Sequence, residues 1–281
     1  MYSCPSCGSN IKFNIKSQDM YCEYCNTHHS PYDFKKDNDA TESEYFDSII
    51  YTCPQCGGKI ISADEEATAY CSYCGASNVL TGRLKKEKMP KYIIPFKVTK
   101  EECIEIYKSK MRENKFCPGN AKSDKCINNM KPIYMPYYLY HIRQSGRMVL
   151  KGERKTENVA ETIVDTMMIT GDVESEFPEI PYEASALFFD SLSNRIEPYD
   201  LSKKMRFSPA YLSGFYADVA DVDPFVYEND AIEDAEQLTL ERIEIDNRVS
   251  NIKVYNFMSS HYHQTNNINY IYQKEFYTFL L

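Results

Sequence analysis

Eight of the eleven cysteines in this 281-residue chain fall into two matched quartets. Cys4, Cys7, Cys22 and Cys25 read C-x2-C-x14-C-x2-C. Cys53, Cys56, Cys71 and Cys74 repeat that spacing 49 residues later. Two thiol pairs ~15–20 residues apart match a structural-zinc spacing, and four thiolates suit a borderline-soft d10 cation in tetrahedral coordination. The expectation is two Zn2+ ions, one per quartet, with rubredoxin-type iron or an iron–sulfur centre as the competing occupant. A cage closed by four sulfurs leaves no position for a reacting water, so the expected role is structural rather than catalytic.

The residues within the pairs fit the turns that such cages need. Pro5 and Pro54 pre-set φ after the first cysteine of a pair. Gly8, Gly57 and Gly75 follow the second cysteine, where a left-handed backbone is cheap for glycine, and Asn26 takes the fourth such place. Tyr21 and Tyr70 precede the third ligand and are expected to cover the small core of each ribbon. A disulfide reading would need an oxidising compartment, and Met-Tyr-Ser-Cys-Pro at the start carries no basic and apolar leader.

The elements that position the quartets follow from turn signals and periodicity. Ribbon one is read over 1–34, a polar acidic linker over 35–49 and ribbon two over 50–82. Residues 83–281 read as a mostly antiparallel α+β domain, its first part basic and its second acidic. Arg83 to Lys91 reads as a basic hinge, and Tyr92 to Val98 as an extended run broken by Pro95. Thr99 and Glu102 form a capping box that opens a helix to about Asn114. Cys103, Ile106, Tyr107 and Met111 are its expected core stripe. Phe116 to Lys131 reads as a loop. A strand over Pro132–Arg143, a turn at Ser145-Gly146, a returning strand from Arg147 and a third strand over Val159–Thr170 follow. Tyr182–Leu192 reads as a short helix, Ser208–Tyr216 as a short apolar segment and Asp230–Asp246 as a long acidic helix. Ile232, Ala235, Leu238, Leu240 and Ile243 are the apolar positions of that last helix. Ile252–Phe257 and Ile268–Leu281 read as late strands.

Charge is unevenly spread over a net −9. Residues 1–80 carry −6, residues 81–155 carry +12 and residues 156–281 carry −15. A Zn2+ held by four thiolates adds −2 per site, so the ribbons are poor baits for a phosphate backbone. The basic middle is expected to face the acidic part of its own chain, with an anion as the other candidate. No stretch approaches the ~18 uncharged apolar residues of a membrane span. A cytoplasmic protein is expected.

Other reactive side chains have ordinary readings. Cys103 is expected to be a small buried hydrophobe. Cys117 and Cys126 with His141 would make a third metal site, but their spacing fits no strong pattern. His28-His29 is expected to be exposed, and His261 and His263 to lie at a surface strand end. Tyr134, Tyr138 and Tyr140 alternate with Met135 and Tyr137 along a strand. They are read as tyrosines covering a sheet, with base stacking between Lys131, Arg143 and Arg147 as the rival. No G-x-x-x-x-G-K-[ST], G-x-S-x-G or H-E-x-x-H motif is present.

The chain resembles bacterial double-zinc-ribbon proteins of the TFIIB-type zinc-ribbon group. The resemblance is carried by Cys4–Gly8, Cys53–Gly57, the run Tyr92-Ile-Ile-Pro-Phe-Lys-Val-Thr-Lys-Glu-Glu102, Ile133-Tyr-Met-Pro-Tyr-Tyr-Leu139, Ile196-Glu-Pro-Tyr199 and Pro209–Ala217. It implies a zinc-binding protein with no established activity. A non-enzymatic adaptor or assembly component with a protein partner is the expected function. A nucleic-acid-binding protein using the ribbons and the basic 83–155 segment is the alternative. The segment after residue 230 carries no recognised motif.

Overall fold

The computed structural model describes residues 2–34, 45–62, 71, 73–74, 81–113, 123, 127, 130–157, 162–187, 200–248 and 252–277. The chain is mixed α+β, mostly sheet, and divides into two compact units. The first unit holds residues 1–137, 183–222 and 270–281; the second holds 138–182 and 223–269.

Within the first unit, the N-terminal ribbon is a four-stranded antiparallel sheet. Its strands are β1 (Tyr2–Ser3), β2 (Asn10–Asn14), β3 (Asp19–Tyr21) and β4 (His28–His29). Alternation places Ile11 and Phe13 inward and Lys12 outward, as a half-buried strand requires. The second ribbon is built from β5 (Tyr45–Thr52), β6 (Lys59–Ser62) and β7 (Thr81–Lys88), with β5 paired antiparallel to both β6 and β7. Arg83–Lys88 is thus strand, not hinge: every residue from Arg83 to Lys88 has a ladder partner on β5. β6 pairs in turn with β12 (Tyr216–Asp218), through Ile61 opposite Ala217, and β12 runs parallel to the start of β9 (Lys131–Glu157). The extended run at Tyr92 contributes only a two-residue strand, β8 (Tyr92–Ile93), paired with β11 (Met205–Arg206) and with β13 (Ile252–Tyr277).

From Ile133 to Tyr140 every residue of β9 is buried, and β13 and β12 are its neighbours in the sheet. Tyr134, Tyr137 and Tyr140 are fully buried with Met135, so these three rings are core and offer no face to a stacked base. Phe96 stacks on Phe215 with centroids 5.1 Å apart, and Tyr134 closes the cluster 4.7 Å from Phe96.

The first ribbon docks on this core through a short 3-10 turn, Pro209–Leu212, capped by Ser208. Phe13 packs 5.0 Å from Tyr211 and 6.1 Å from Phe215. Three hydrogen bonds fix the seat. The Ser208 hydroxyl donates to the Pro31 carbonyl at 2.7 Å, and the Ser213 hydroxyl to the Ile11 carbonyl at 3.0 Å. The Phe13 amide donates to the Ser213 carbonyl at 3.2 Å.

Helix α1 (Lys100–Glu113) starts where the capping box places it. The Thr99 amide donates to Glu102 Oε2 at 2.8 Å, and the Glu102 amide to Thr99 Oγ1 at 3.3 Å. Its apolar stripe does not form core. No residue of the helix is buried; Cys103, Tyr107 and Met111 are half-covered and Ile106 is 53% exposed. Cys103 is therefore not the buried hydrophobe its stripe implies.

β9 also pairs with β10 (Thr162–Glu183). Both strands run straight through the positions read as breaks. Ser145-Gly146 makes no turn, and Gly171 lies inside β10. Tyr182 and Glu183 end β10 instead of starting a helix, and residues 184–187 are not helical. The two late strands are one continuous β13. Helix α2 (Glu228–Arg248) buries Ala231, Ala235 and Thr239, one face at a spacing of four, while Leu238 is 38% exposed. Ala235 alone of the expected positions lies on the fully buried stripe. Thr239 Oγ1 and Ser175 Oγ lie 3.0 Å apart, and both reach Gln144 Oε1, at 3.2 and 3.3 Å. Arg242 lies over the Phe177 ring at 4.5 Å.

Candidate metal centres

Each quartet is assembled by backbone turns before any side chain is considered. In the first ribbon the Gly8 amide donates to the Cys4 carbonyl at 2.8 Å and the Asn26 amide to the Cys22 carbonyl at 2.9 Å. The Cys4 and Cys22 amides donate to the Ser9 and Thr27 carbonyls at 2.7 and 3.0 Å. The second ribbon repeats the pattern at Cys53, whose carbonyl accepts from Gly57 at 2.9 Å and whose amide donates to Gly58 at 2.8 Å. Gly8, Gly57 and Asn26 adopt φ of +76°, +75° and +56°, the left-handed region their residue types tolerate. Gly75 and Tyr70 lie outside the described residues.

These turns aim four sulfurs at one point, twice. Within each quartet all four Sγ atoms lie within 4.8 Å of one another. Cys4–Cys25 and Cys7–Cys22 are 3.6 Å apart, and Cys53–Cys74 and Cys56–Cys71 are 3.8 and 3.6 Å apart. A tetrahedron with metal–sulfur bonds of about 2.3 Å has edges of about 3.8 Å, so the cages have the right size for zinc. Contacts of 3.6 Å are far too long for S–S bonds of about 2.05 Å, and the eight sulfurs are free thiols. Each quartet could hold a metal ion, and among the described residues these are the only groups of three or more His, Cys, Asp or Glu donors that converge.

The thiols differ in how readily they give up protons. Beside Cys4, the Thr27 hydroxyl favours the thiolate and holds the thiol down at about 5. Burial pushes Cys71 up to about 12, so that sulfur ionises only when a cation arrives. Metal uptake therefore releases protons, as thiolate sites require.

The surroundings of the cages hold side chains that the spacing pattern did not bring forward. Thr27 Oγ1 lies 3.0 Å from Cys25 Sγ and 3.4 Å from Cys4 Sγ. His29 Nε2 reaches Thr27 Oγ1 at 3.1 Å, Ser6 Oγ at 3.4 Å and Cys4 Sγ at 3.8 Å. His29 is half-covered against the cage, in contrast to the exposed position expected for it; His28 is exposed, as expected, and pairs with Asp19 at 2.8 Å. The signal available in the sequence was the place of His29, four residues after Cys25 on the returning strand. Tyr21 does not cover the first core. It is half-exposed and donates to Asn26 Oδ1 at 2.6 Å, while the fully buried Met20 fills the interior.

Around the second cage, Tyr73 packs its ring so tightly over Gly58 that a Cβ there would meet Cδ2 at 2.5 Å. Asp218 lies buried near Tyr73 and Ser185, and burial raises its carboxyl to about 7. Lys59 pairs with Asp221 at 3.4 Å. His141 hydrogen-bonds Glu176 at 2.7 Å, whereas Cys117, Cys126 and the side chains of His261 and His263 lie outside the described residues.

No helix among the described residues is long and apolar enough to cross a membrane. No family model matches the chain, and no solved structure matches it. The chain is similar to the uncharacterized protein YdjG of Bacillus subtilis (strain 168), with 32% identity over 223 residues. That match takes in 77% of this chain and 65% of YdjG, so the chain spans less than two thirds of its relative's length.

Proposed function

We propose that this chain is a non-enzymatic zinc protein of the TFIIB-type double-zinc-ribbon group, acting in the cytoplasm as a protein–protein adaptor or assembly component. The observation that carries the reading is the closure of both cages: four sulfurs converge in each, matching the edge of a tetrahedral zinc–thiolate site. Cys4, Cys7, Cys22 and Cys25 would hold one Zn2+, and Cys53, Cys56, Cys71 and Cys74 the other. Bound there, the ions would add folding energy to two small modules. Burial of the tyrosines on β9 removes one support for the nucleic-acid alternative. That alternative keeps one specific observation in its favour, the exposed cations Arg83, Lys85, Lys86 and Lys88 on β7.

Two measurements on the purified, zinc-loaded chain test the reading. Elemental analysis is expected to give two zinc atoms per polypeptide; iron, or far less zinc, overturns the metal assignment. Cross-linking in the native cell with wild type and Cys71→Ser is expected to yield a protein partner whose capture depends on the intact ribbon. DNA binding tighter than ~10−4 M at ~150 mM salt, with a steep salt slope, would transfer support to the nucleic-acid reading.

A further inference from the structure

The two cages share one ligand pattern but differ in residue type at the positions beside it. The first ribbon places a hydroxyl against two of its sulfurs, with Thr27 Oγ1 3.0 Å from Cys25 Sγ and 3.4 Å from Cys4 Sγ. That hydroxyl has one hydrogen, and a thiolate is its best acceptor. With that hydrogen on a zinc-bound thiolate, the Thr27 oxygen is left to accept from His29 Nε2, 3.1 Å away, in the tautomer that carries its hydrogen there. The same ring nitrogen lies 3.8 Å from Cys4 Sγ and 3.4 Å from Ser6 Oγ. The result is a short donor chain running from His29 through Thr27 to the sulfurs. Its members are fixed by the ribbon itself. The Thr27 carbonyl accepts from the Cys22 amide at 3.0 Å, and His29 sits opposite Met20 in the β3–β4 ladder. Shifting by the 49-residue repeat, the second ribbon carries Gln55, Ala76 and Asn78 where the first has Ser6, Thr27 and His29. Alanine at the threonine position has no hydroxyl to offer.

A zinc held by four thiolates carries a net −2, and donors aimed at its sulfurs lower the charge on each ligand. A sulfur that shares its charge with a hydroxyl is a poorer nucleophile toward electrophiles and a poorer base toward protons. From this asymmetry we infer that Thr27 and His29 are positioning residues that lock metal into the first cage, so that the second cage surrenders its metal first. This inference rests on zinc occupying both quartets, as proposed above, and adds an order of release to it.

The test uses the full, zinc-loaded chain treated with a thiol alkylating agent in the presence of a zinc chelator. Native mass spectrometry counts the ions retained over time, and peptide mapping locates the alkylated cysteines. Wild type is expected to lose one zinc before the other, with Cys53, Cys56, Cys71 and Cys74 modified first. Thr27→Val keeps the shape but removes the hydroxyl, and is expected to speed loss from the first cage about tenfold or more. Thr27→Ser restores the hydroxyl and is expected to return the slow rate. Equal rates for Thr27→Val and Thr27→Ser overturn the inference, as does wild-type modification of Cys4, Cys7, Cys22 and Cys25 before the second quartet. Starting material with fewer than two zinc atoms would instead strike at the zinc assignment itself, which separates the two failures.

Discussion

The two ribbons are a repeat in ligand spacing and opposites in attachment. The first keeps a complete small sheet of its own and is held mainly by side chains: Phe13 packs against Tyr211 and Phe215, beside one backbone hydrogen bond from the Phe13 amide to the Ser213 carbonyl. The second is held by backbone, because β6 joins the larger sheet through β12. The tyrosine inside the second cysteine pair of each ribbon records the difference. Tyr24 is 79% exposed on the first ribbon, whereas its counterpart Tyr73 lies over Gly58 beside the buried Asp218. Ser9 stands where Gly58 does, since no ring demands that space in the first ribbon. A metal cage thus fixes a local turn geometry and leaves open how the module is fastened to its neighbours.

The largest expected effect separates the two fastenings. Cys22→Ser and Cys71→Ser should each reduce bound zinc from two ions to one, removing a metal contribution that reaches about 10–16 kcal/mol in isolated fingers. Hydrogen exchange should then rise over residues 2–34 and 205–219 in the first variant. In the second it should rise over 45–62 and 216–218. Identical exchange footprints would mean that the ribbons are not separately fastened.

Next in size are the aromatic anchors. Phe13→Ala and Tyr73→Ala should each destabilise by about 3 kcal/mol in urea melts, whereas Tyr24→Ala should stay within about 0.5 kcal/mol. A costly Tyr24→Ala would erase the contrast drawn from exposure.

A smaller effect sharpens the environment of the second ribbon. Burial raises the Asp218 carboxyl to about 7, so the folded chain binds a proton there that the unfolded chain releases near pH 4. Stability from this group is present at low pH and is lost as pH rises through 7. Asp218→Asn should therefore be more stable than wild type at pH 8.5, by on the order of 1 kcal/mol, and should flatten the decline between about pH 4 and 7. A variant less stable than wild type at pH 8.5 would mean that the carboxylate is held charged.

Smallest, and expected to be equal in both ribbons, is the cost of a Cβ at the turn glycines. Gly8→Ala and Gly57→Ala each force a left-handed alanine into open space, so about 1 kcal/mol is expected in either case. Unequal costs would show that the two turns are not equivalent after all.

The cages were legible in sequence because their determinants are local. Two cysteines per turn, a glycine or asparagine at positive φ and a fixed spacing are written within a few residues of one another. The capping box at Thr99 and Glu102 was legible for the same reason. Ser145-Gly146 and Gly171 misled because a turn-prone residue only permits a turn; β9 and β10, which pair with each other, run unbroken past these positions. The stripe on α1 misled because a 3.6-residue period says which face is apolar, not whether anything covers it. The seat of the first ribbon had no local signal at all: Ile11 and Ser213 lie 202 positions apart.

That separation bears on synthesis at the ribosome. With elongation at ~5–20 residues per second, roughly 10–40 s pass between the emergence of Ile11 and that of Ser213. During this interval the nascent ribbon has no Tyr211 or Phe215 against which to shelter Phe13. Early capture of an ion by its four thiols would give it a defined shape while it waits.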